Sequence, residues 1–228
     1  MPRLRLVVAN KNYSSWSMRP WVLLRQAGIP FEEIPVWFGQ DGHVEGIERW
    51  SPTGKVPVLW IDEEPVWDSL AICEAVAELY PDRALWPADP VARRHARSVC
   101  AEMHSGFQEL RRNMPMNLRS RLPGLGRTPG SERDIARVVS LWESCRSRFG
   151  IDGSLLFGHF TCADAMFAPV ATRLRTYEVP VPSVAEDYCA SLLALPGVRA
   201  WCDAGRQETQ FVSADEPYAA KPNAGQEG

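Results

Sequence analysis

The sequence predicts a small α/β domain followed by an all-helical one, and three observations carry this reading. The first eighty residues alternate strand-like and helix-like runs. A proline-rich stretch, "YPDRALWPADP" (80–90), then has neither periodicity. Beyond it the apolar spacing is helical. Taking the elements in order, "RLRLVVA" (3–9) reads as a buried strand. Trp16, Val22, Leu23, Leu24 and Ala27 suit a helix that Gly28 and Pro30 end. Ile34, Val36 and Phe38 alternate as a second strand should. Residues 39–54 are polar and glycine-rich, a loop with room for one short helix. "VPVLWI" (56–61) and "PVW" (65–67) flank "DEE" as a hairpin would. Asp68 or Ser69 caps a helix through Tyr80, with Leu70, Cys73, Val76 and Ala77 on one face. That order of elements fits an α/β domain of thioredoxin type.

Helices are expected at 91–113, 131–149, 161–177 and 184–195, with "RLPGLGRTPG" (121–130) as a loop. The expected division is therefore 1–80 for the α/β domain, 81–90 for a linker and 91–212 for the helical domain. The polar tail, 213–228, is expected to fray.

Composition narrows the function classes. The chain has 228 residues, 45% of them hydrophobic, enough for a substantial core. A net charge of -3 without a basic block argues against nucleic acid as a partner. No apolar run approaches the roughly 18 residues that span a membrane, and the start turns polar too soon for a secretory signal. A soluble, cytoplasmic protein is the expectation. The six cysteines form no C-x-x-C pair, and His43, His95, His104 and His159 do not cluster, so reduced thiols and no metal are expected.

Three short stretches carry chemistry. "SSWS" (14–17) stands where a thioredoxin-type domain carries C-x-x-C, so disulfide chemistry at this turn is excluded. A helix N-terminus remains, with unpaired amides, partial positive charge and hydroxyls able to donate to a thiolate. Plain N-capping is the alternative. In "SPTGKVPVL" (51–59), a cis bond before Pro57 would present the main chain of Val56 to an extended ligand; a trans edge proline is the alternative. "WDSLAI" (67–72) sets Asp68 and Ser69 at a helix start, where amides and a hydroxyl suit a carboxylate and Asp68 suits an ammonium. Further on, Thr161 and Asp164 have capping-box spacing, a structural role. Met103, Phe107, Leu110 and Met114 form a helical stripe, either core or the lining of an apolar pocket.

"SSWS" followed by Arg19, then Val56-Pro57, then Asp68-Ser69, resembles the glutathione transferases, in particular the zeta class and its bacterial relatives, which include maleylacetoacetate isomerases. That class reads Ser-Ser-Cys-Ser and Gln-Ser where this chain has Trp16 and Asp68. The likeness covers most of residues 4–205, including "LWPADP" and "GFQELRRN" (106–113). It implies the glutathione transferase fold, a cytoplasmic homodimer, glutathione as co-substrate and no metal. Ser14, with Ser15 beside it, falls on the catalytic serine. Ser17, Arg19, Lys55, Val56, Pro57, Asp68, Ser69, Gln108 and Asn113 fall on the glutathione side. Trp16, Met103, Phe107 and Arg111 fall on the pocket for a small electrophile. The arginine that the class links to its isomerase substrates falls near Thr176, between Arg175 and Tyr177. The implied reaction is attack of glutathione thiolate on a soft electrophile, by conjugation or by addition that isomerises a double bond. A non-catalytic glutathione-binding scaffold is the alternative.

Overall fold

Alternation along the first strand divides apolar side chains between the two faces of one sheet. β1 (Leu4–Val8) sends Leu4, Leu6 and Val8 into the main core, and Val7 into a smaller one with Ala9, Val36, Ile47 and Val58. The structure, a computed structural model, describes residues 2–219. β2 (Glu32–Pro35) pairs parallel to β1, and β3 (Val58–Ile61) antiparallel to it on the other side. β4 (Glu64–Trp67) completes the hairpin, giving the order β2-β1-β3-β4. The parallel pair needs a crossover, which α1 (Ser15–Gln26) supplies. Pro20 lies inside α1 and beyond its first turn, so the Trp16 carbonyl lacks its i+4 donor. α2 (Ser69–Leu79) follows β4 and buries Ile72, Cys73 and Val76 in the same core.

The rest of the described chain is helical: α3 (Pro90–Ser105), α4 (Gln108–Asn113), α5 (Pro129–Phe149), α6 (Cys162–Thr176), α7 (Ser183–Ala194) and α8 (Pro196–Gln207). α6 is buried along nearly its whole length and packs against α1 and α3, while α8 packs against α1. At the start of α6, Asp164 Oδ2 accepts from Thr161 N at 2.8 Å and from the Thr161 hydroxyl at 3.1 Å. Its other oxygen accepts from Leu156 N and from Tyr188, each at 3.2 Å. The pair read as a cap thus also ties α6 to α7 and to the preceding loop.

Three expectations are corrected. The single helix at 91–113 is two, because Gly106 and Phe107 break it. A Cβ on Gly106 would lie 2.8 Å from the Glu102 carbonyl, and Phe107 takes a left-handed φ of 61°. α8 was not foreseen, although Pro196 stands at its first position and Val198, Trp201, Cys202 and Gly205 repeat at helical spacing along it. The tail does not fray over 213–219. A short 3-10 turn (Ser213–Asp215) is held by Gln40, whose carbonyl accepts from the Ser213 hydroxyl at 2.7 Å, and Tyr218 donates to the Asn113 carbonyl at 2.7 Å. Residues 220–228 of that expectation lie outside the described residues.

The turn that precedes α1 is fastened by the helical part. The Glu208 carboxylate accepts from Lys11 N and Asn12 N at 2.7 and 3.0 Å. Trp201 donates to the Lys11 carbonyl, and the Asn12 side chain bonds Asn117, Leu118 and Arg119. The helix that presents the serines is therefore clamped from both halves of the fold.

Candidate active site

Two adjoining clefts meet at the N-terminus of α1. The larger, about 580 Å³, is lined by Tyr13, Ser14, Ser15 and Trp16, by Val56, Met116 and Arg111, and by Arg173 and Asp215. The smaller, about 530 Å³, is lined by Trp16, Lys55, Val56, Pro57, Asp68 and Ser69. Trp16, Thr53, Lys55 and Val56 belong to both.

At the helix end the hydroxyls differ. Ser14 is the N-cap; its Oγ donates to Ser17 Oγ at 2.7 Å and accepts from Ser17 N at 3.4 Å. Ser17 Oγ also accepts from Ala9 N at 3.2 Å, which ties α1 to the end of β1. The Ser15 hydroxyl, one residue into the helix, has no hydrogen-bond partner among the described residues and borders the larger cleft. Free amides and the helix dipole favour an anion at this point.

The Val56-Pro57 peptide is cis. Neither the N–H nor the C=O of Val56 joins a backbone hydrogen bond among the described residues, and Val56 lines both clefts. The Ser51 hydroxyl bonds the main chain of Lys55 in both senses and so holds the loop before it. Across the smaller cleft, Asp68 caps α2 at φ 74°, accepting from Leu70 N, and its second oxygen lies 3.3 Å from His104 Nε2. Ser69 is buried and its Oγ accepts from Arg19 Nη1 at 3.2 Å.

Arginines crowd behind and beside these groups. Arg19 is fully buried beneath Ser69, with its Cζ 4.2 Å from the centre of the Trp16 ring. Arg111 Cζ lies 4.7 Å from the same ring, its guanidinium donating to the carbonyls of Gly106, Met103 and His104 at the end of α3. Arg173 Nε donates to the Met114 carbonyl at 2.8 Å. Burial lowers the basicity of all three, Arg111 to about 10 and Arg173 to about 9, and Arg111 and Arg173 depress Arg19 further. Arg111 and Arg173 stay charged at neutral pH.

The family follows from direct comparison. "Glutathione S-transferase, N-terminal domain" matches residues 13–79, and "Glutathione S-transferase, C-terminal domain" matches 127–204. The chain belongs to the glutathione S-transferase family. It is 27% identical over 221 residues to a maleylpyruvate isomerase of Ralstonia sp, covering 94% of this chain and 99% of that protein. A probable maleylacetoacetate isomerase of Caenorhabditis elegans is 33% identical over 97 residues, 42% of this chain and 45% of that protein, so the chain spans less than half of that relative's length. The crystal structure of a glutathione transferase homologue from Burkholderia gl BGR1 with bound glutathione superposes with a TM-score of 0.69 at 25% identity, covering 90% of this chain and 100% of that one.

Several residues that the sequence pattern sets at the site lie elsewhere. Met103 and Phe107 are core residues and line neither cleft, so the core reading of their stripe holds for both. Gln108 is exposed and donates to the Ser105 carbonyl, closing the end of α3. Asn113 donates to Glu109 within α4. Ser17 and Arg19 stand behind the clefts as supports. Four residues at or beside the clefts carry no sequence signal that was read: Tyr13, His104, Arg173 and Asp215. Tyr13 borders the larger cleft, but its hydroxyl is bound to Glu216 at 2.8 Å and to Arg119. Arg173 left a legible signal, a charge in the otherwise buried run of α6.

Proposed function

We propose that this transferase binds glutathione along the smaller cleft and uses its thiolate to attack a soft electrophile in the larger one. The unpartnered Ser15 hydroxyl at the start of α1, beside the unpaired main chain of Val56, carries this reading. Val56 pairs with the cysteinyl backbone, as an extended ligand pairs with a strand edge. The γ-glutamyl carboxylate takes the Ser69 hydroxyl and the amides opening α2, and its ammonium takes Asp68. Lys55 serves the glycyl end. The sulfur then faces Ser15, whose hydroxyl donates to the anion, while the dipole of α1 favours the same charge. Ser14 orders the helix end.

Two outcomes are open to the thiolate: conjugation, or reversible addition that rotates a cis double bond. The relatives' names, maleylpyruvate and maleylacetoacetate isomerase, support the second. A homodimer belongs to the same reading, and light scattering tests it. Calorimetry with glutathione, followed by turnover with a panel of neutral and carboxylate-bearing electrophiles, tests the function. Binding with no turnover on any electrophile would leave a glutathione-binding scaffold.

A further inference from the structure

Three guanidinium groups, Arg19, Arg111 and Arg173, meet near Trp16, and none has a carboxylate oxygen within 4.0 Å among the described residues. All their hydrogen bonds go to neutral oxygens: the Ser69 hydroxyl for Arg19, and main-chain carbonyls for the other two. Arg19 Nε and Nη2 and Arg111 Nη1 are buried with no partner among the described residues. Buried cations without counter-ions are costly, and proteins ordinarily pair them. A cluster left uncompensated beside a cleft gives that cleft a standing positive potential, strong because the surroundings are poorly polarisable.

The charges around the α1 end are unequal. Lys55 adds a fourth cation at the junction of the two clefts. Against these stand Asp68, which faces His104, Asp134, whose carboxylate accepts from Leu110 N and raises the basicity of Arg111, and Asp215, which reaches the larger cleft from the C-terminal segment. Burial raises the Asp215 carboxyl to about 6, although Arg173 pulls it down. Tyr13 and His43 complete the titratable lining. Of the three arginines, Arg111 is the one that both borders the larger cleft, with Ser15, and stacks on Trp16, the next residue.

On the reading given above, we infer that Arg111, propped against Trp16 in the place of the zeta-class cysteine, supplies the positive potential that keeps the glutathione thiol ionised at Ser15. The indole fixes the guanidinium by a cation–π contact and carries no charge of its own. The α3 carbonyls hold it from the other side without neutralising it. Ser15 gives the sulfur direction; Arg111 gives it charge compensation.

The test is the apparent pKa of the thiol of bound glutathione, followed by its ultraviolet thiolate absorbance. Calorimetry in parallel shows that each variant still binds. Arg111→Met removes the charge and keeps the stem; the bound thiol's pKa should rise by about 1. Arg111→Lys keeps the charge and loses the fork; the value should stay near that of the wild type. If Arg111→Met binds glutathione with an unchanged thiol pKa, the inference is overturned. So it is if Arg111→Met loses turnover only on carboxylate-bearing electrophiles, since Arg111 would then read the electrophile. Should Arg111→Met fail to fold, Arg111→Lys still decides, because a rise of about 1 there overturns the charge argument. No glutathione binding by the wild type would instead defeat the proposed function itself.

Discussion

Ser14 Oγ donates to Ser17 Oγ across 2.7 Å, so the first hydroxyl of the "SSWS" turn is already engaged at the helix end, although Ser14 borders the larger cleft as Ser15 does. That contact separates two residues which look equivalent in the sequence. The Ser15 hydroxyl is left to a ligand. Ser15→Ala should therefore lower turnover by about ten- to a thousandfold, the scale of one lost charge-stabilising donor. Its pH–rate profile should move to higher pH. Ser14→Ala should mainly cost about 1 kcal/mol of stability through the lost cap. Steady-state kinetics and thermal melts on both variants measure this, and a larger kinetic loss in Ser14→Ala would reverse the assignment.

Ser69→Ala should weaken glutathione binding by roughly tenfold or more, because a hydroxyl aimed at a carboxylate is lost. It should also lower the melting temperature, since Arg19 Nη1 loses its only partner in a buried setting. Calorimetry and a melt read the two effects separately. A variant that melts lower but binds as the wild type does would restrict Ser69 to supporting Arg19.

Asp164→Ala should destabilise the fold by about 2 kcal/mol or more, because Thr161 N, Leu156 N and the Tyr188 hydroxyl all lose their acceptor in a buried place. The carboxyl also gives a pH signature. Burial raises it to about 6, against hydrogen bonds from Thr161, Leu156 and Tyr188 that lower it. The folded state therefore holds this proton more tightly than the unfolded chain. The stability that this linkage contributes is present below the ordinary carboxylate range and is lost as the pH rises through about 6. Relative to Asp164→Asn, the wild type should lose about 2 kcal/mol between pH values of about 4 and 6.5. Urea unfolding of both proteins across that range measures it.

Truncation before Ser213 should leave glutathione affinity nearly unchanged and raise the KM for the electrophile severalfold, because Ala214 and Asp215 wall only the larger cleft. The loss of the Tyr13–Glu216 and Tyr218–Asn113 hydrogen bonds should cost about 1 kcal/mol each. Kinetics with each substrate varied in turn separates the two clefts.

What was legible in the sequence is what is local. Thr161 and Asp164 stand three residues apart, so their cap could be read from spacing alone. The apolar runs of β1 and β3 and the hairpin before Asp68 are short-range for the same reason. The break between α3 and α4 depends on the close approach of Gly106 to the Glu102 carbonyl, and helical periodicity runs through it unmarked. Because of that break, the stripe from Met103 to Met114 looked continuous when it is not. The missed site residues share another cause. Arg173 and Asp215 border the larger cleft from α6 and the C-terminal segment, and His104 on α3 reaches Asp68, each far in sequence from Ser15. For α8 the pattern was present and simply not used.

The larger cleft owes part of one wall to a short 3-10 turn laid down after the last helix, held by Gln40 on one side and, a few residues on, by the carbonyl of Asn113. Its Ser213 is held by Gln40, a loop residue, and not by a strand or helix of the described residues. Lengthening it, shortening it or rewriting its side chains changes what the cleft admits and leaves the sheet and bundle alone. On the second substrate's side, specificity is therefore editable from the segment after α8, while the side that faces β3 and α2 is constrained by the core.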